Sequence, residues 1–357
     1  MRQNNIFLML LKVFFFSLIL VATSAVRAEL KVVTTIKPLH SLIANVMDGV
    51  GEPALLIEGS TSPHSFTLKP SHAKLLEEAD IIFWVGESIE TFMERPLESI
   101  VKNAEVVEFM EVESINKLKF REESIFEDHD DHDDHDDHED HDDYDDHDDH
   151  EDHDDHDDHE EHDDHDDHEE HDDHDEHDDQ NGHDDHGHAH GEFDAHIWLD
   201  PMNAKEMVHE IAHELGDLDP ANKNKYEANA QATIQALDQL INDIEKGINK
   251  DAKFVVFHDA YQYFEERFET KAAGALTLNT DVLPGAKQIA DIQDVIKDRG
   301  IKCIFSEPQF NPKIITTIAE DMNIKTGVFD PLGANIDSNK DLYFKLIQNL
   351  GNELKGC

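Results

Sequence analysis

KVVTTIKPLHSLIANV, residues 31–46, sets a β-branched run against a helical pattern carrying Leu39, Leu42, Ile43 and Val46 at helical spacing. The hydrophobic period passes from that of a strand to that of a helix within a few residues. The same unit recurs outward along the chain. Pro53–Ile57, Ile81–Val85 and Glu105–Val107 are further short strand candidates, with helices near Ser71–Ala79 and Ile89–Ser99 between them. Beyond residue 250, Phe254–Phe257, Gly274–Leu278, Cys303–Ser306 and Thr326–Phe329 alternate with helices such as Gly285–Asp298, amphipathic through Ile289, Ile292 and Ile296. Alternating β and α segments predict an α/β fold with parallel sheets covered by helices on both faces, here as two (β/α)4-type lobes.

Between the lobes, Asp219-Pro220 reads as an N-cap and a first-turn proline, followed by about 30 residues with no proline and only Gly247. A helix of that length would be ~45 Å long, more than one lobe needs for its own packing. It is expected to be a rigid strut joining the lobes. The domain reading is therefore a leader over residues 1–28, a first lobe over 29–218, a linking helix over 219–250 and a second lobe over 251–357.

Two stretches fall outside the globular body. Residues Met1–Ala28 carry Arg2 and Lys12, an apolar run Val13–Ala22, and Val26-Arg27-Ala28 with small side chains where a signal peptidase reads. This is the pattern of a cleaved secretory signal, with Glu29 as first mature residue. Asp128–His190 repeats Asp-Asp-His and holds 20 of the 27 histidines and 37 of the 83 acidic residues, without lysine or arginine. A period of three fits neither helix nor strand, and apolar residues are almost absent, so nothing offsets the ordering entropy. A disordered loop inserted in the first lobe is expected.

The formal charge of −54 argues against nucleic acid, which is bound by neutralising phosphates with lysine and arginine, and against anionic lipid. It points to cations. Imidazole suits zinc and its neighbours, whereas carboxylate alone suits harder ions, so the mixed repeat favours zinc. Its sites should be weak and exchangeable, with protons competing as pH falls. Cys303 and Cys357 form an even pair in a chain addressed to an oxidising compartment and are expected to be disulfide-bonded. No cysteine near the end of the leader offers a lipid-anchor site. No second apolar run reaches the ~20 residues that span a bilayer. A soluble protein in the periplasm of a bacterium with two membranes is expected.

The histidines outside the repeat are 40, 64, 72, 196, 209, 213 and 258. His64 lies in a turn, TSPHSF, after a strand; His196 lies in DAHIWLDP, directly after the repeat; His258 ends the strand Phe254–Phe257, before a helix starting at Asp259 or Ala260. Strand carboxyl ends are where ligands bind in open α/β sheets. Any one such histidine reads most simply as a hydrogen-bonded loop residue; three in one metal-bearing chain read as ligands. Asp330, before Pro331-Leu332-Gly333, occupies the same kind of position and completes a possible tetrahedral set for Zn2+.

A competing motif is His209-Glu210-Ile211-Ala212-His213, an HExxH sequence extended by Gly216 and Asp219, with Glu210 as the general base of a metalloprotease. On a helical wheel Met207, Val208, Ile211, Ala212 and Leu215 form one arc, while His209, Glu210, His213 and Glu214 fall opposite with Glu206. That is the pattern of a solvated face. Neither a nucleotide-binding glycine loop nor a G-x-S-x-G elbow occurs, so the chain is neither a transporter's ATPase nor a hydrolase of that type.

The motifs SPHSFTLKPS (62–71), ADIIFWVG (79–86), HIWLDP (196–201), FHDAYQYF (257–264), SEPQF (306–310) and DPLG (330–333), in this order and with a His-rich loop in the expected place, resemble the zinc-binding receptors of ABC-type zinc uptake systems, the ZnuA type. The resemblance implies two (β/α) lobes joined by one long backbone helix, with the metal between them. It implies His64, His196 and His258 as ligands, an inner-membrane permease with its ATPase subunit as partner, a monomer and no catalysis. Relatives that carry manganese tend to have a carboxylate where His258 stands, so three imidazoles favour zinc. Asp330 matches the acid used in the wider family, although zinc members often leave that position to water; where some relatives have an acid before the first histidine, this chain has Pro63. The family pattern also pairs Cys303 with Cys357. The repeat would serve as an auxiliary zinc antenna. The alternative of another class is a periplasmic zinc buffer or metallochaperone that never meets a transporter.

Overall fold

A computed structural model describes residues 29–126, 192–278, 280 and 283–357. The expected leader and the Asp-Asp-His repeat lie outside the described residues. The rest holds two parallel four-stranded sheets flanked by helices. In the first, β1 (Val32–Thr34), β2 (Ala54–Leu55), β3 (Ile81–Trp84) and β4 (Glu105–Glu108) are ordered β2-β1-β3-β4, with α1 (Lys37–Val46), α2 (Pro70–Glu78) and α3 (Glu94–Ser99) between strands. After α4 (Pro201–Leu218) and α5 (Lys223–Glu245), the second sheet repeats the plan as β6-β5-β7-β8. Its strands are β5 (Phe254–His258), β6 (Ala275–Thr277), β7 (Cys303–Ser306) and β8 (Lys325–Val328), with α6 (Gln262–Phe268), α7 (Ala286–Asp298), α8 (Lys313–Met322) and α9 (Leu342–Leu354). Strands β1, β3 and β5 are fully buried, which is why they read as unbroken apolar runs instead of alternating ones.

The connecting helix differs from its sequence reading. Asp219 does not cap it. Its N–H closes the last turn of α4 on the Leu215 carbonyl, and its carboxylate accepts from the Asn222 amide at 2.6 Å and the Tyr226 hydroxyl at 3.2 Å. Pro220 and its neighbours form a turn, and α5 begins at Lys223 and runs for 23 residues, about 35 Å at ~1.5 Å per residue. An Asp-Pro pair serves a turn as well as a helix start, and here the buried Tyr226 bonds the Asp219 carboxylate in the turn. Nor does α5 stand free: it packs against α4, α1 and α9. A continuous apolar core runs from Val33 and Leu42 through Leu237 to Phe254 and Tyr343, so both sheets share it. A smaller cluster, with Val255, Ile292, Ile304 and Ile315, fills the space under α7 and α8.

A second crossing joins the sheets. Residues 124–126 run antiparallel to the start of β6, with the Ala275 N–H on the Ser124 carbonyl and the Phe126 N–H on the Ala273 carbonyl. The approach needs a glycine at 274, where a Cβ would stand 2.6 Å from the Ser124 carbonyl oxygen. Arg121 fastens this strap. Its guanidinium reaches Asp259 at 2.8 Å and Glu265 at 2.7 Å and lies 4.0 Å from the centre of the Phe126 ring. Cys303 and Cys357 are disulfide-bonded, tying the start of β7 to a residue three beyond the end of α9. No helix among the described residues is long and apolar enough to cross a membrane.

Candidate metal centre

Three histidines from distant chain segments meet where the carboxyl ends of the two sheets face each other. His64 sits in the single helical turn Pro63–Ser65, following β2, and is half-buried. His196 precedes the turn Ile197–Leu199, and His258 is the last residue of β5. They are 4% and 3% exposed. The ring centroids lie 4.9 Å apart for His196 and His258, 5.5 Å for His64 and His258, and 5.7 Å for His64 and His196. One nitrogen of each ring lies within 4.8 Å of the other two. Zn–N bonds of ~2.0–2.1 Å set tetrahedral nitrogens about 3.4 Å apart, so small ring rotations close this triad on an ion. Buried imidazole nitrogens without a competing hard ligand suit zinc.

The surroundings are apolar on one side and carboxylate-bearing on the other. Ile89, Trp198, Phe310 and Leu332 wall the inner face. The indole N–H of Trp198 donates to the Pro331 carbonyl at 2.8 Å, and the Tyr343 hydroxyl to the Trp198 carbonyl at 2.7 Å. Outside, a cavity of about 480 Å³ opens on all three rings between Ser88, Phe120, Arg121 and Leu278.

Asp194, whose side chain is 1% exposed, orients His196. One carboxylate oxygen accepts from the His196 backbone N–H at 2.9 Å and faces its Nδ1 at 2.6 Å; the other accepts from the Gln262 amide at 2.7 Å. With Nδ1 so engaged, Nε2 is the nitrogen left for a metal, the usual arrangement for a ligating histidine. Asp259, next to His258, faces away to Arg121; burial pushes its carboxyl up to about 7 against the pull of that guanidinium. At the end of β7, Glu307 Oε1 lies 3.5 Å from His258 Nδ1.

Asp330 does not join the triad. Its carboxylate accepts from the Gln309 amide at 2.9 Å, the Leu332 N–H at 3.2 Å and the Ala334 N–H at 2.6 Å, closing the turn of the DPLG segment. The other histidines lie elsewhere. His40 is hydrogen-bonded to the Pro53 carbonyl and His72 stacks on Phe66. His209 and His213 are exposed on α4, with His213 Nδ1 2.9 Å from Glu214, so the HExxH sequence forms the solvated face of an amphipathic helix. Sequence reasoning missed the roles of Asp194, Arg121 and Glu307; the only local signal was an acid two residues before His196.

The family described as zinc-uptake complex component A, periplasmic, matches residues 32–357. The chain is 47% identical over 328 residues to the high-affinity zinc uptake system protein ZnuA of Brucella abortus strain 2308, covering 91% of each chain. It is 31% identical over 343 residues to the protein of that name from Yersinia pestis, covering 96% of this chain and 95% of the relative. A crystal structure of ZnuA superposes with a TM-score of 0.64 at 19% identity, covering 91% of this chain and 98% of the other.

Proposed function

The chain belongs to the periplasmic zinc-uptake component A family, and from that premise we propose that His64, His196 and His258 are the residues with which it holds zinc. It is a zinc-binding receptor of an ABC uptake system, not an enzyme, and Zn2+ is its cargo. The observation that carries the assignment is the meeting of three imidazole nitrogens from three separate segments within 4.8 Å of one another. Neutral nitrogen ligands give a tight site, and three of them leave a fourth position for water or for an incoming group that draws the ion out.

The ion passes to an inner-membrane permease driven by a separate ATPase, with this chain acting as a monomer after removal of residues 1–28. The Asp-Asp-His repeat serves as an auxiliary antenna, raising local zinc concentration near the tight site. The shared core and the packing of α5 against α1 and α9 favour release by loop and ring rearrangement over wide hinge opening.

Zinc titration by calorimetry with a competing chelator tests the site, using residues 29–357 with and without 128–190. One tight site that survives the deletion, and weakens in each of His64→Ala, His196→Ala and His258→Ala, is expected. Loss of all tight binding on deletion would move the function to the repeat.

A further inference from the structure

The second sheet delivers a buried acid to a ligand histidine. Strands β5 and β7 pair with Val256 opposite Phe305, and continuing that register by two residues sets His258 opposite Glu307. The Glu307 side chain is 1% exposed. Neither its Oε1 nor His258 Nδ1 has a hydrogen-bond partner among the described residues, and the two stand 3.5 Å apart. Buried polar atoms of native proteins are almost always paired, and a contraction of a few tenths of an ångström joins these two. Asp194 stands in the same relation to His196, at 2.6 Å. Asp330, the acid expected from the sequence, is committed to its own turn.

Charge gives the arrangement its purpose. Three neutral imidazoles leave a zinc dication uncompensated, and a buried charge is costly without a counter-charge. Two buried carboxylates, each one imidazole removed from the ion, supply it without adding an oxygen ligand that would favour harder cations.

Resting on the assignment of the three histidines as ligands, we propose that Glu307 is a positioning residue of the zinc site. Its carboxylate holds the His258 imidazole with the proton on Nδ1 and Nε2 facing the ion, and together with Asp194 it offsets the charge of the dication at one remove.

The test uses the whole mature chain with Glu307→Gln, which keeps an acceptor and removes the charge, and Glu307→Met, which removes both. Long-range 1H–15N spectra of the zinc-loaded protein read the His258 tautomer, the signal being assigned by its loss in His258→Gln. Chelator competition reads affinity. The expected result is one tight site throughout, with affinity about 10-fold lower in Glu307→Gln and up to about 100-fold lower in Glu307→Met, and with Nδ1–H retained in the first and its preference lost in the second. Unchanged affinity in Glu307→Gln, or an unchanged tautomer in a folded Glu307→Met, would overturn the proposal. If Glu307→Met does not fold, the Glu307→Gln affinity decides alone. Full zinc affinity in His258→Ala would instead remove the ligand assignment itself.

Discussion

The Lys37 ammonium lies 2.6 Å from the carbonyl oxygen of Gly333, a residue 296 positions further along the chain. It also donates to the carbonyls of Ala334 at 3.1 Å and Ile336 at 2.7 Å, so all three N–H bonds of one buried cation close on the loop that follows β8. Burial lowers the lysine's pKa, opposed by Asp330 and Asp337. The contact fixes Pro331 and Leu332, which wall the histidine cavity, to the first lobe. Lys37→Met leaves three carbonyls without this donor. A loss of about 1–3 kcal/mol is expected, measured as a lower urea midpoint with the slope unchanged; an equal midpoint would refute it.

The Asp330 carboxylate is engaged by its own turn, and we expect its loss to be felt in stability more than in coordination. Asp330→Ala removes the acceptor for two backbone N–H groups and the Gln309 amide, and stability should fall by about 1–3 kcal/mol. Its zinc affinity should fall less than that of any of the three histidine-to-alanine variants. An equal loss in a folded Asp330→Ala protein would place Asp330 on the ion.

Glu90 gives the fold a signed pH dependence. It is fully buried, accepts from the Val85 and Gly86 N–H groups at 2.7 and 3.2 Å, and burial raises its carboxyl to about 7. The folded protein therefore holds this proton more tightly than the unfolded chain, where a glutamate titrates near 4.3. Its stabilising contribution is complete below that value and is lost as pH rises through about 7, a change on the order of 3 kcal/mol. Glu90→Gln should match the parent near pH 4 and exceed its stability at pH 8, by chemical denaturation at both values. Parallel pH profiles for the two proteins would exclude the effect.

The disulfide closes a loop with a sequence separation of 54. Replacing both cysteines by alanine should cost about 4 kcal/mol through the entropy returned to the unfolded chain. Because neither cysteine belongs to the histidine cluster, the one tight zinc site should remain at 25 °C while the melting temperature drops. A melting temperature equal to the parent's would show that α9 holds the chain end unaided.

The eight strands were legible because each is a short apolar or β-branched run between turn residues, and local patterning is what fixes such segments. The clustering of the three histidines was legible in part, since His64 follows a strand and His258 ends one, at places where open sheets expose side chains, and His196 stands directly before a helix start. The start of α5 was not, because Asp219-Pro220 satisfies two local rules, and it is the side-chain bonds from Asn222 and Tyr226 to the Asp219 carboxylate that accompany the turn. The turn bonds of Asp330 were not legible, since an acid at a strand end looks the same in sequence whether it meets a metal or closes its own turn. Glu307 and Arg121 were opaque for a stronger reason: their partners are set by the β5–β7 register and by the strap across to β6, relationships between segments far apart in the chain.

On either side of residues 127–191 the chain is already fastened. Lys119 pairs antiparallel with Phe193, the Phe120 N–H bonds the Glu192 carbonyl, and the Asp194 N–H bonds the Leu118 carbonyl at 2.8 Å. These bonds hold the two ends beside each other, and closure entropy grows only slowly with the length of chain between such ends, by about 0.6 kcal/mol per doubling. The globular body thus meets the intervening segment through a single closed pair of backbone ends, so a change in that segment's length need not alter the fold on either side of it.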